Sequence, residues 1–170
     1  DYVLVHHSQV ESLTRRLLEA VKAFYGKEPL QSRDYGRIIN EKHFQRLRGL
    51  LERAEEEGCR LHRVSPTPWN PETRQIAPTV LTEVTWESAV MEEELFGPIL
   101  PVLPYDSLKE AVDRVNSRPR PLALYVFTNR RETARYLLRE IPFGGGCVND
   151  TVLHLTAPGL PFGGLGESGM

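Results

Sequence analysis

The run Leu122-Ala123-Leu124-Tyr125-Val126-Phe127 carries no charge and is entered through the break Arg118-Pro119-Arg120-Pro121. A strand this apolar wants cover on both faces, which is the pattern of a parallel sheet. Helical stretches flank it. Upstream, residues 99–105 read as a strand, and Ser107-Leu108-Lys109-Glu110 has the Ser-x-x-Glu spacing by which two side chains satisfy the first free amides of a helix. Leu108, Ala111, Val112 and Val115 then give that helix one apolar face. Downstream, a helix is predicted over about residues 129–140. Strands alternating with helices imply an α/β fold, a three-layer sandwich built on a mostly parallel sheet.

The remaining elements fit this scheme. Tyr2-Val3-Leu4-Val5 reads as a buried strand, and Ser8-Gln9-Val10-Glu11 repeats the helix-start spacing. Val10, Leu13, Leu17, Val21 and Phe24 share a face of the helix that follows, and Gly26 ends it. A second helix begins at Asn40, buries Phe44, Leu47, Leu51 and Ala54, and stops at Gly58. Cys59-Arg60-Leu61-His62 and residues 77–84 read as strands, with a Pro-rich loop over 65–73 between them. Gly144-Gly145-Gly146 leads into a short strand at Cys147-Val148-Asn149, and the remainder is loop.

Charge excludes some functions. With 21 Lys+Arg against 23 Asp+Glu the formal net charge is −2. No basic stripe recommends DNA, RNA or an anionic membrane as partner. No apolar run approaches the roughly 20 residues of a membrane helix. The two cysteines, Cys59 and Cys147, have no Cys or His at metal-ligand spacing, so neither a disulfide framework nor a metal site is expected, and a reducing cytoplasmic setting fits. The length suits one domain or a piece of one.

Four places hold residue types able to carry chemistry. In Glu92-Glu93-Glu94-Leu95-Phe96-Gly97-Pro98 a carboxylate stands two residues before an aromatic at a Gly-Pro turn. A carboxylate accepts two hydroxyl hydrogen bonds, as from a ribose diol; the alternative is a solvated acidic segment with one core Phe. Gly164-x-Gly166-x-x-Gly169 matches a dinucleotide fingerprint in form, but it lacks the strand before and the helix after that give the fingerprint its meaning. Cys147 with His154 as base lacks an orienting third residue, so a buried inert thiol is expected, as for Cys59. His6 and His7 are adjacent, hence on opposite faces of an extended strand, and form no common site.

Read together, several ordered stretches resemble the NAD(P)-dependent aldehyde dehydrogenase superfamily, class 3 branch, over essentially the whole chain. They are Asp1-Tyr2-Val3-Leu4-Val5, Tyr35-Gly36-Arg37-Ile38-Ile39-Asn40 with His43-Phe44, Ala77-Pro78-Thr79-Val80-Leu81, and Glu93-Glu94-Leu95-Phe96-Gly97-Pro98. Pro121-Leu122-Ala123-Leu124-Tyr125, Val148-Asn149-Asp150 with His154, and Leu160-Pro161-Phe162-Gly163-Gly164 running to Ser168-Gly169-Met170 complete the series.

The resemblance implies that Glu94 holds the nicotinamide ribose hydroxyls of NAD or NADP and that Phe96 packs beside them. It implies that His43 and Arg46 occupy helix positions near the cofactor, that Phe162 lines the aldehyde channel, and that His154 is a further candidate for that wall. The family's chemistry uses a Cys thiolate, hydride transfer to the nicotinamide and a Glu that activates water. The resemblance puts that Cys a few residues ahead of the stretch corresponding to Asp1, and the Glu and the dinucleotide-binding domain further upstream. The chain is therefore expected to be the C-terminal portion of a catalytic domain, inactive alone, from a homodimeric parent whose C-terminal tail it also lacks. The competing expectations are a noncatalytic α/β module or pseudoenzyme, and a CoA- or phosphate-dependent acyl reductase of the same superfamily.

Overall fold

The computed structural model describes residues 1–161 and 163–166 and divides into two compact units, Asp1–Tyr105 and Asp106–Met170. In the first unit a four-stranded sheet runs in the order β1 (Val3–His6), β6 (Ile99–Tyr105), β5 (Thr79–Thr82), β2 (Arg60–His62). β1 and β5 both lie parallel to β6, with Val3 opposite Val102 and Thr79 opposite Ile99, while β2 joins β5 antiparallel. All four residues of β5 are buried, as a central strand covered on both faces requires.

Alternation along these strands builds the layers. Leu81 and Leu103 point into a core shared with Phe44, Leu47 and Leu51 of helix α2 (Glu41–Glu56). Thr82 and Val102 point the other way, toward helix α1 (Val10–Tyr25). The sheet therefore carries helices on both faces, as expected of an α/β three-layer arrangement. Asn40 caps α2 as predicted, its Oδ1 accepting from the His43 amide at 2.9 Å. Phe44 and Leu47 are completely buried.

Four expectations in this unit are corrected. The Ser8 cap does not form: residues His7–Gln9 make a 3-10 turn, α1 starts at Val10, and the Ser8 hydroxyl bonds the His6 ring Nδ1 at 2.8 Å. The strand thus ends before His7, so the His6 and His7 rings come to 4.3 Å from each other instead of pointing apart. Phe24 is exposed, because Tyr25 takes the inward position of that last turn and meets Tyr35 edge-on at 4.9 Å. The loop over 65–73 also contains a short strand, β3 (Trp69–Asn70), paired antiparallel with β4 (Gln75–Ile76). Gly26 ends α1 at φ 80° as anticipated.

His62 on β2 shares a 2.8 Å hydrogen bond with the Thr82 hydroxyl. Burial pushes its pKa below the ordinary histidine value; Arg60 adds to the shift and Glu83 opposes it. The unfolded chain then binds the proton more readily, so the stabilising contribution is full above about pH 6.5 and lost as pH falls through the lowered native value. A His62→Gln variant is expected to flatten the fall in urea midpoint between about pH 7 and pH 5. An unchanged slope would assign the acid sensitivity elsewhere.

The second unit holds α3 (Leu108–Asn116), β7 (Ala123–Val126), α4 (Arg131–Glu140) and β8 (Gly145–Val148). Ser107 caps α3, accepting from the Glu110 amide at 3.2 Å, while the Glu110 carboxylate accepts from the Asp106 amide. The Asn116 side chain donates to the Glu140 carbonyl at 2.8 Å and ties the ends of both helices together. β7 and β8 pair in parallel, Leu124 opposite Gly146. Full cover of the 122–127 run is not found: Val126 is buried, but Leu122 and Phe127 are 43% and 68% exposed. Among the described residues this pair has no third strand.

Candidate functional site

The acidic segment lies between a 3-10 turn (Ala89–Met91) and β6, in the first unit. Leu95 is completely buried in the α2 core, whereas Phe96 is 80% exposed at φ 48°. The segment's core aromatic therefore does not exist; its core residue is Leu95. A non-glycine residue in the left-handed region needs surroundings that hold it there. They are present. Gly97 lies so close to Leu47 that a β-carbon there would stand 2.5 Å from the Leu47 Cδ1. The Asp1 carboxylate accepts from the Leu95 amide at 3.2 Å and the Phe96 amide at 3.5 Å.

The three consecutive carboxylates have different fates. Glu92 pairs with Arg53 at 3.4 Å and Glu93 with Arg46 at 3.0 Å, both arginines standing on α2. The Glu94 side chain is exposed and makes no hydrogen bond or ion pair among the described residues. One acceptor is thus left open beside one open aromatic ring.

Arg46 also donates to the Glu94 carbonyl at 3.3 Å and the Leu95 carbonyl at 2.6 Å, so its guanidinium is engaged by the turn itself. His43 lies one helical turn earlier on α2, half-buried, and its ring has no hydrogen bond among the described residues. A groove of about 1020 Å³ elsewhere in the unit, between α1 and the Thr82–Val102 side of the sheet, is lined by none of Glu94, Phe96, His43 and Arg46.

The sequence of residues 1–170 matches the profile of the Aldehyde dehydrogenase family. The chain belongs to the aldehyde dehydrogenase family. It is 46% identical over its whole length to the 4,4'-diaponeurosporen-aldehyde dehydrogenase of Staphylococcus aureus and 43% identical to the dimeric NADP-preferring aldehyde dehydrogenase of Rattus norvegicus, and it spans 36% of each of those relatives. A substrate-bound Staphylococcus aureus AldH structure superposes with a TM-score of 0.94 at 45% identity, covering all of this chain and 36% of that one. An NAD+ complex of a Bacillus cereus aldehyde dehydrogenase gives 0.74 at 26% identity, over 88% of this chain and 30% of that one.

In the second unit of this aldehyde dehydrogenase chain, His154 sits on a 3-10 turn (Leu153–Thr156) and is half-buried. Its Nδ1 is 3.9 Å from the Cys147 sulfur and its ring 5.8 Å from that of Tyr125. The Cys147 thiol is thus half-buried beside a histidine, not sealed in a core, because β8 has glycines where other strands carry side chains. Cys59 behaves as expected: it is buried, and burial pushes its thiol pKa up.

With His154 turned onto β7 and β8, the exposed surface beside it belongs to Val152, Leu153 and Leu155. Their apolar types were visible in the sequence, but their exposure was not. Phe162 and Ser168-Gly169-Met170 lie outside the described residues, as does the end of the Gly164-x-Gly166-x-x-Gly169 match. No cluster of three or more His, Cys, Asp or Glu suited to a metal occurs among the described residues, and none of their helices is long and apolar enough to cross a membrane.

Proposed function

We propose that this chain forms the nicotinamide-ribose end of the cofactor site, and part of the aldehyde channel, of an enzyme that oxidises aldehydes to carboxylic acids with NAD or NADP. The observation that carries this reading is the Glu94 carboxylate, unpaired among the described residues, beside the exposed Phe96 ring in a segment whose other two carboxylates are spent on α2 arginines. A carboxylate accepting both hydroxyls of a ribose fixes the sugar in two places, and an aromatic edge beside it excludes water from one side. The bound nicotinamide would supply the hydride acceptor. This reading assigns Phe162 to the channel wall, with the exposed Val152, Leu153 and Leu155 and the half-buried His154 beside them as further candidates.

The nucleophilic Cys and the water-activating Glu are assigned, on the family resemblance, to polypeptide outside these residues; Cys59 is buried. The relative named dimeric and NADP-preferring supports a homodimeric parent. The two free thiols suit a reducing, cytoplasmic setting.

In the full-length polypeptide, Glu94→Ala is expected to raise the cofactor KM about tenfold, the loss of one charge-assisted hydrogen-bond pair. This chain alone is expected to show no aldehyde-dependent NAD(P) reduction above that of its Glu94→Ala variant. A full-length polypeptide without turnover would favour a noncatalytic module, and turnover only with CoA or phosphate an acyl reductase.

A further inference from the structure

We propose that Arg46 and Asp1 are the positioning residues that preset the Glu94–Phe96 turn for a ribose diol; this rests on the function proposed above. The turn is gripped on both kinds of backbone group. Asp1 takes the two amides, Leu95 N and Phe96 N, at 3.2 and 3.5 Å. Arg46 takes the two carbonyls, Glu94 O and Leu95 O, at 3.3 and 2.6 Å, and holds the Glu93 carboxylate at 3.0 Å with the same terminal nitrogen that reaches Glu94 O. Opposite charges thus engage opposite ends of the local peptide dipoles. What the clamp leaves unengaged is the Glu94 carboxylate and the Phe96 ring, the two groups the ribose would meet.

The grip is needed because Phe96 stands at φ 48°, a conformation an unsupported turn leaves readily. The Leu95 side chain is completely buried, but an apolar side chain supplies no hydrogen bond to the turn's peptide groups. Arg46 spreads its donors over two nitrogens of one planar fork to reach a side-chain carboxylate and two carbonyls, a fixed spread that a lysine ammonium, a single point charge, lacks. Asp1 adds a second constraint. It leads directly into β1, so the turn that would hold the cofactor is tied to the sheet's first strand as well as to α2.

The test uses the full-length polypeptide, with cofactor KM and aldehyde KM measured separately and amide exchange of residues 94–96 followed alongside. Arg46→Ala and Asp1→Ala are each expected to speed that exchange and raise the cofactor KM about tenfold, leaving the aldehyde KM within about twofold. Asp1→Asn, which keeps an accepting oxygen, is expected to restore the cofactor KM, and Arg46→Lys to fall between wild type and Arg46→Ala. Faster exchange with an unchanged cofactor KM, while Glu94→Ala raises it, would overturn the positioning role and leave the ribose reading standing. A parallel rise in both KM values would also overturn it, marking general loosening. An unaltered cofactor KM in Glu94→Ala itself would remove the ribose reading and this inference together.

Discussion

Gly146→Ala is expected to destabilise the unit Asp106–Met170 by about 3 kcal/mol, near the upper end for overpacking. Gly146 lies opposite Leu124 in the parallel β7–β8 pair, and a methyl group there would overlap the Leu124 carbonyl oxygen and crowd the Phe143 ring. The obstruction is main chain in the partner strand, so it cannot rotate aside; the strands must separate. Gly145→Ala is the informative control. Its methyl would meet the His154 ring, which can swing away, so a smaller loss is expected. Hydrogen exchange across residues 123–148 reads the difference, and equal protection in both variants would contradict it.

Phe44→Ala is expected to cost about 3–5 kcal/mol, the range for emptying a fully buried aromatic site. Phe44 is completely buried among Leu47, Leu51, Leu95 and Leu103, and Trp69 and Trp86 pack against the same core, so their fluorescence reports the denaturant midpoint. Phe96→Ala should leave that midpoint within about 0.5 kcal/mol, since an 80% exposed ring contributes little burial. The pair separates the segment's anchor side from its open side. Similar losses from both would mean that Phe96 packs inward.

Much of the fold was legible because its signals are local. The Asn40 and Ser107 caps, the α2 stripe and the β5 and β6 strands each depend on neighbours within a few residues. Where a local signal misled, a competing contact had won. Ser8 turned back to His6 instead of capping α1, and Phe24 yielded the inward position to Tyr25. At the candidate site, residue type left Glu94 and Phe96 open beside a solvated acidic segment, and the family resemblance singled them out. Which of Glu92, Glu93 and Glu94 stays unpaired depended on Arg46 and Arg53, roughly forty to fifty positions away in sequence. No spacing rule contains that information. The meeting of Cys147 with His154 likewise needed the glycines of β8, whose meaning appears only against the ring they admit.

The register that sets Val3 beside Val102 has a consequence for biogenesis. During synthesis β1 emerges long before β6, the strand that pairs with it. At ordinary ribosomal speed it waits about 5–20 s with its hydrogen-bonding edge bare. A parallel pairing between strands this far apart in sequence closes late, so β1 and β6 meet only after most of the unit has been made.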